Sequence, residues 1–168
     1  MIRDGQPEDV RAITHVHVLA WRETYPGIMP REVLDGLDEG QRAAQWERWF
    51  AAGRAVRQSL AVCELSGEVV GFASGAIPEG GEEAELFTLY LLGKAQGAGL
   101  GQALFAHVAG RLADLGARSL ILWMAESNPT GGFYLHLGGT VIEAKDKPFG
   151  PYKIRETCYR WDDISTLR

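Results

Sequence analysis

The sequence predicts a mixed α/β fold, a sheet with helices packed on it, and three observations carry that reading. Apolar residues in the first third recur at intervals of three and four, the helix period. From Ser59 onward, short runs of strand-forming residues alternate with tight turns. In the middle of the chain, a run apolar on both faces leads through a glycine cluster into an amphipathic helix and then a second buried strand.

Taken in order, residues 1–3 are strand-like and Pro7-Glu8-Asp9 opens a helix. That helix carries Val10, Ile13, Val16 and Ala20 on one face, and Pro26-Gly27 breaks it near Tyr25. A second helix holds Ala43, Trp46, Phe50 and Ala51, with Trp46 and Trp49 read as core packing. Residues 60–65, the turn Ser66-Gly67 and residues 68–73 form a hairpin. An acidic loop over residues 78–83 is read as a solvated turn, and residues 85–92 as a central strand. Leu100, Leu104, Val108, Leu112 and Leu115 then make one helical stripe, which Gly116 stops. Residues 120–124 are a buried strand, and Asn128-Pro129 starts a short helix through Phe133, Tyr134 and Leu137. Strands at 140–144 and 152–161 close the chain.

The 168 residues suit a single domain, 1–168, and 46% hydrophobic with 23% charged residues is globular. A net charge of −5 argues against a duplex nucleic-acid binder or a protein held on anionic lipid. The longest apolar run, 120–125, is far below the roughly 18 residues a membrane helix needs, and the N-terminus lacks the apolar core of a secretion signal. No membrane or nucleic-acid partner is therefore expected. Two cysteines, Cys63 and Cys158, provide neither a disulfide framework nor a zinc site, which points to a reducing cytoplasm and no metal. His15 and His17 lie two apart on a helix and cannot chelate one metal, while His107 and His136 read as surface or capping histidines.

The 21 glycines are about twice the usual share of ~7%, and they concentrate at turns. Gln96-Gly97-Ala98-Gly99-Leu100-Gly101 joins a buried strand to a periodic helix. Glycine there lets the backbone turn sharply and approach a ligand, and the free N–H groups at a helix start attract an anion such as phosphate. The dinucleotide fingerprint would need its third glycine where Gln102 stands, and no Lys-Ser or Lys-Thr pair follows to make a P-loop.

Residues 85–91 followed by Gln96, Gly99 and Gly101, with Asn128, Phe133, Tyr134 and Gly138 after the next strand, resemble the GNAT superfamily of N-acetyltransferases. The resemblance spans nearly the whole chain. It departs in two places: Asn128 and Tyr134 are six apart, one fewer than usual, and Gly139 stands where many members have Phe. It implies a central mixed, mostly antiparallel twisted sheet, splayed at the cofactor site, with helices on both faces. It also implies acetyl-CoA as co-substrate. The backbone of Gly97, Ala98, Gly99, Leu100, Gly101 and Gln102, after Gln96, would hold the pyrophosphate. Leu89, Tyr90 and Leu91 would pair with pantetheine, the Leu91 N–H would polarise the thioester carbonyl, and Asn128 would bond the pantetheine arm.

The resemblance further implies direct acetyl transfer to a primary amine in a ternary complex. At pH 7 an amine with pKa near 10.4 costs roughly 4–5 kcal/mol to deprotonate, so a base is wanted. Glu85 stands where some members carry it, though a solvated strand-end carboxylate explains it equally, and Glu83 or a water chain is the alternative. Tyr134 is the candidate acid for the leaving thiolate, or else a packing aromatic. The acceptor would lie between Trp21, Arg22, Tyr25, Pro26 and Met29 on one side and residues 147–152 on the other. The acidic loop is an additional feature that would attract a cation. A small-molecule amine is the expected acceptor. A non-catalytic acyl-CoA sensor, an enzyme acting on a protein N-terminus or lysine, and a homodimer stay open.

Overall fold

In the computed structural model, which describes residues 1–52 and 56–167, strand β1 (Ile2–Asp4) leads through a short turn of helix at Pro7–Asp9 into α1 (Val10–Thr24). Asp9 fixes that entry: its carboxylate accepts the Gln6 amide at 2.8 Å and both terminal nitrogens of Arg3 at 2.7 and 2.9 Å. The Arg3 hydrogen bond holds the Asp9 carboxyl below the usual carboxylate range. The predicted face of α1 is buried, with Ile13, Val16 and Ala20 inside, and Thr14, His17 and Val18 widen it. The helix ends where the Tyr25 amide donates to Trp21 O, just before Pro26.

A short helix unforeseen in the sequence, α2 (Arg31–Asp35), precedes α3 (Glu39–Ala51). Asp38 caps α3, accepting the Gln41 amide at 2.7 Å, a bond of the kind worth about 1 kcal/mol. Strands β2 (Gln58–Leu65) and β3 (Glu68–Ala76) form the expected hairpin. Its turn residues Ser66 and Gly67 both have positive φ, which matches the twist of the paired strands. Then come β4 (Glu83–Leu91), α4 (Leu100–Asp114), β5 (Ser119–Ala125), α5 (Gly131–His136), β6 (Thr140–Phe149) and β7 (Tyr152–Trp161).

These strands make one sheet in the order β1-β2-β3-β4-β5-β7-β6, in which β4 and β5 run parallel and every other neighbour is antiparallel. Helices lie on both faces. On one, α4 buries Leu104, Val108 and Leu112 completely against residues from β2, β3, β4, β5 and β7. Truncating a leucine so placed costs about 2–5 kcal/mol. On the other, α1 and α3 pack Ile13, Val16 and Trp46 on Leu60, Val62 and Phe72. Trp46 is thus in the core as expected, and Trp49 packs against that core half-buried.

The last hairpin is longer than the sequence suggested. Residues 145–149 continue β6 instead of forming a loop, and the turn is confined to Gly150-Pro151. Beyond β5 the hairpin has no strand to lie on, because β5 pairs with β7 only over residues 156–161. Among the described residues no helix is long and apolar enough to cross a membrane.

Candidate active site

The parallel pair β4–β5 holds together for four residues and then parts. Glu83 to Leu86 pair with Ser119 to Leu122, after which β4 stays with β3 and β5 stays with β7. The parting coincides with a β-bulge: Ser74 opposes Thr88 and Gly75 opposes Leu86, so Phe87 has no partner on β3. A bulge bends its strand and moves successive side chains to the other face. Leu86 belongs to the α4 core, yet so do Leu89 and Leu91, which alternation alone would send to opposite sides.

Between the parted strands lies a cleft of about 450 Å³. Its β4 wall is backbone. The Leu92 amide donates to Val70 O on β3, so alternation turns the N–H and C=O of Leu91 and Leu89 toward the cleft. The Leu91 carbonyl is taken by Gln96, whose Nε2 donates to it at 2.9 Å and ties the glycine loop to the strand end. The Tyr90 backbone faces β3 instead, and its ring turns to the α1 side.

The loop behaves as glycine chemistry requires. Gly97 and Gly99 have φ of 80° and 76°, a conformation that a side chain disfavours, and Gly99 is the N-cap of α4. Ala103 is the first amide to find a helical acceptor, Gly99 O at 3.0 Å. Among the described residues the amides of 97–102 donate to no other group of the chain. They are a ready seat for a phosphate oxygen. Gln96, Gly97, Gly99, Gly101 and Gln102 line the cleft, while Ala98 and Leu100 do not.

The opposite wall is side chains from β5 and α5: Leu122, Trp123, Met124, Asn128, Phe133 and Tyr134. Asn128 is buried, and its Oδ1 accepts from the Thr130 amide at 3.0 Å and hydroxyl at 2.8 Å, starting the turn into α5. Tyr134 is also buried, packed on Phe133, Tyr159, Trp161 and Phe105. Burial, reinforced by Tyr25 and Tyr159, raises its pKa, so the phenol keeps its proton at neutral pH. Gly139, next to this helix, has no room for a side chain: a Cβ there would lie 2.7 Å from the Trp161 ring and 2.9 Å from Tyr134 O. The indole of Trp161 fills that space and donates to Leu137 O at 2.9 Å.

Trp21 and Tyr25, expected on the acceptor side, reach the cleft region, and His17, for which no role was expected, stands behind them. Tyr25 lines the cleft, its ring tilted against that of Trp21 at 4.8 Å between centroids, and Trp21 Nε1 donates to Tyr90 Oη at 2.8 Å. Burial raises the Tyr25 pKa, with Tyr90 and Asn128 opposing. His17 lies behind Tyr90, stacked at 5.1 Å, ringed by Trp21, Trp46 and Phe72. Burial, with Arg42 adding, pushes its pKa down to about 3. Its Nδ1 is buried with no partner among the described residues. His136 is exposed and lines the cleft, and His107 binds Asp4 at 2.7 Å.

The two carboxylates considered as base separate cleanly. Glu83 accepts from Ser119 Oγ at 3.1 Å and pairs with Arg160 at 3.3 Å, at the paired end of β4. Glu82 likewise pairs with Arg118 at 3.0 Å, and neither carboxylate lines the cleft. Glu85 lies one residue before the last paired residue, on the face opposite the Leu86 side chain, and is not among the cleft-lining residues. Burial raises its pKa, with Lys147 and Lys145 opposing. Cys63 and Cys158 are buried free thiols, and burial pushes Cys158 up to about 11, so neither is an activated nucleophile.

Comparison with known proteins agrees with this architecture. Residues 14–138 match the model of the acetyltransferase (GNAT) family. The uncharacterized N-acetyltransferase YuaI of Bacillus subtilis (strain 168) is 32% identical over 170 residues, covering 99% of this chain and 95% of that protein. Among solved structures, the PaiA N-acetyltransferase of Thermoplasma acidophilum in complex with coenzyme A superposes with a TM-score of 0.74 at 18% identity, covering 94% of this chain and 96% of its own. A phosphinothricin acetyltransferase from Sinorhizobium meliloti in complex with acetyl-CoA gives 0.70 at 21% identity, covering 97% and 88%. With a family model over most of its length and a relative similar from end to end, the chain belongs to the acetyltransferase (GNAT) family.

Proposed function

We propose that the protein is an acetyl-CoA-dependent N-acetyltransferase that passes an acetyl group directly to a primary amine, with a small molecule as acceptor. The observation that carries this is the parting of β4 and β5 beside a row of unpaired amides at the start of α4. The residues present fit acetyl-CoA. Amides at 97–102 would receive the pyrophosphate, the cleft-facing groups of Leu89 would pair with the pantetheine arm, and Asn128 would offer its amide beside them. When bound, acetyl-CoA supplies the acetyl group as a thioester whose leaving group is a thiolate.

The chain's own groups then meet two demands. Glu85 takes the proton that the ammonium must lose, through a water, since it stands just below the cleft. Its raised pKa brings it nearer the working pH, which suits a base. Tyr134, held protonated by burial, donates its O–H to the departing sulfur. The Leu91 N–H, pointing into the cleft, is the donor available to a carbonyl oxygen on which charge develops. The reading is tested by following free CoA thiol. Release that depends on added amine supports a transferase; acetyl-CoA binding with no release under any amine favours a sensor.

A further inference from the structure

The lysines near the cleft are held differently. Lys147 pairs with Glu156 at 3.4 Å, whereas Lys145 turns its ammonium onto the Trp123 ring, 3.6 Å from the centroid. No ion pair among the described residues takes up the charge of Lys145. An exposed lysine on a projecting hairpin has water on every other side, yet this one covers a residue that lines the cleft. Trp123 stands in β5 one residue past the last β4–β5 pair, and its neighbours Leu122 and Met124 face the α4 core. Its ring therefore lies on the opposite face, where Glu85 also lies. That part of the face carries Glu85, Glu143 and Glu156 against Lys145 and Lys147. With Lys147 and Glu156 paired, lifting Lys145 away leaves an aromatic face beside the carboxylates of Glu85 and Glu143, an environment that favours a cation.

We propose that the Trp123 ring is the seat of the acceptor's ammonium, that Lys145 occupies this seat in the free protein, and that the acceptor is therefore an unbranched alkylammonium. The inference rests on the transferase reading and adds the substrate class to it. Lys145 acts as an internal competitor: its four-carbon stem brings an ammonium to the ring, as a diamine or a lysine side chain would.

The test is CoA release with two groups of amines, cadaverine and Nα-acetyl-lysinamide against glutamate and aminoethylphosphonate. The alkylammonium pair is expected to have the higher kcat/KM. Lys145→Ala should lower the KM for cadaverine about fivefold. Trp123→Leu should raise it about tenfold, and Trp123→Phe only about threefold, in line with an aromatic–cation contact partly or fully lost. A preference for the anionic amines, with Lys145→Ala raising their KM, overturns the inference and makes Lys145 an anion partner. So does a cadaverine KM unmoved by both Lys145→Ala and Trp123→Leu. Release with the anionic amines alone leaves the transferase reading intact while the inference fails. If no amine releases CoA although acetyl-CoA raises the unfolding temperature, both fail and the cofactor site stands.

Discussion

The two walls of the cleft are built from different materials. The β4 wall offers backbone: the inward-facing groups of Leu89 and Leu91, continued by the free amides of 97–102. The β5–α5 wall offers side chains: Trp123, Asn128 and Tyr134. Backbone groups recognise what all molecules of one cofactor share, an amide-bearing arm and a pyrophosphate. In the proposed reading, side chains carry proton transfer and acceptor choice. A wall of backbone is changed by altering its conformation, and a wall of side chains by altering single atoms.

That contrast is sharpened first by Glu85→Gln, which leaves both walls in place. If Glu85 is the base, kcat/KM should fall about 100-fold or more, and the acid limb of the pH–rate profile should disappear. Acetyl-CoA affinity should stay unchanged. The same variant has a stability signature. The Glu85 pKa is raised in the folded protein, so its contribution is favourable at low pH and is lost as pH rises through the folded value. Relative to wild type, Glu85→Gln should therefore gain stability in going from pH 4 to pH 7. An unmoved difference would deny the burial of this carboxyl.

Smaller effects follow from the support behind the β4 wall. His17 stacks on Tyr90 and is held neutral, with its pKa pushed down to about 3. The unfolded chain takes up that proton near pH 6.5 while the folded protein does not, so stability falls as pH drops below 6.5. At pH 5 the loss is about 2 kcal/mol. His17→Phe should abolish that dependence in denaturant titrations at pH 7 and pH 5; equal acid sensitivity in the variant would show that His17 is not the source. On the facing wall, Tyr134→Phe should lower kcat about tenfold, a modest effect because a thiol of pKa about 8.5 leaves with little help. The acetyl-CoA Kd should hold within about threefold. A loss of affinity with unchanged turnover would make Tyr134 a packing residue.

The backbone wall was the more legible in the sequence. Glycine at Gly97, Gly99 and Gly101 is a local signal, because conformation at a strand-to-helix junction is decided by the residues themselves. The longer helices and the β2–β3 hairpin followed from period and turn chemistry for the same reason. What fixes the gap was not legible. The stretch 85–92 reads as apolar on both faces, so its alternation carries no register and the bulge at Phe87 leaves no trace. Trp21 and Tyr90 are 69 residues apart, and nothing local in either announces their hydrogen bond. The tip of the last hairpin is charged and carries Pro148, which read as loop, yet it stays extended by pairing with β7. The Gly139 departure from the family pattern became intelligible once Trp161 was seen to occupy the space of its missing side chain.

The central claim is that the backbone wall binds acetyl-CoA, and thermal unfolding with and without saturating acetyl-CoA tests it most directly. Ligand at about 100 times its Kd adds about 2.7 kcal/mol, or roughly 5–10 °C for a chain of this size. The account predicts such a rise in wild type and its loss in Gly99→Val, where φ of 76° excludes a branched side chain. No rise at millimolar acetyl-CoA or CoA, or an equal rise in Gly99→Val, would contradict it.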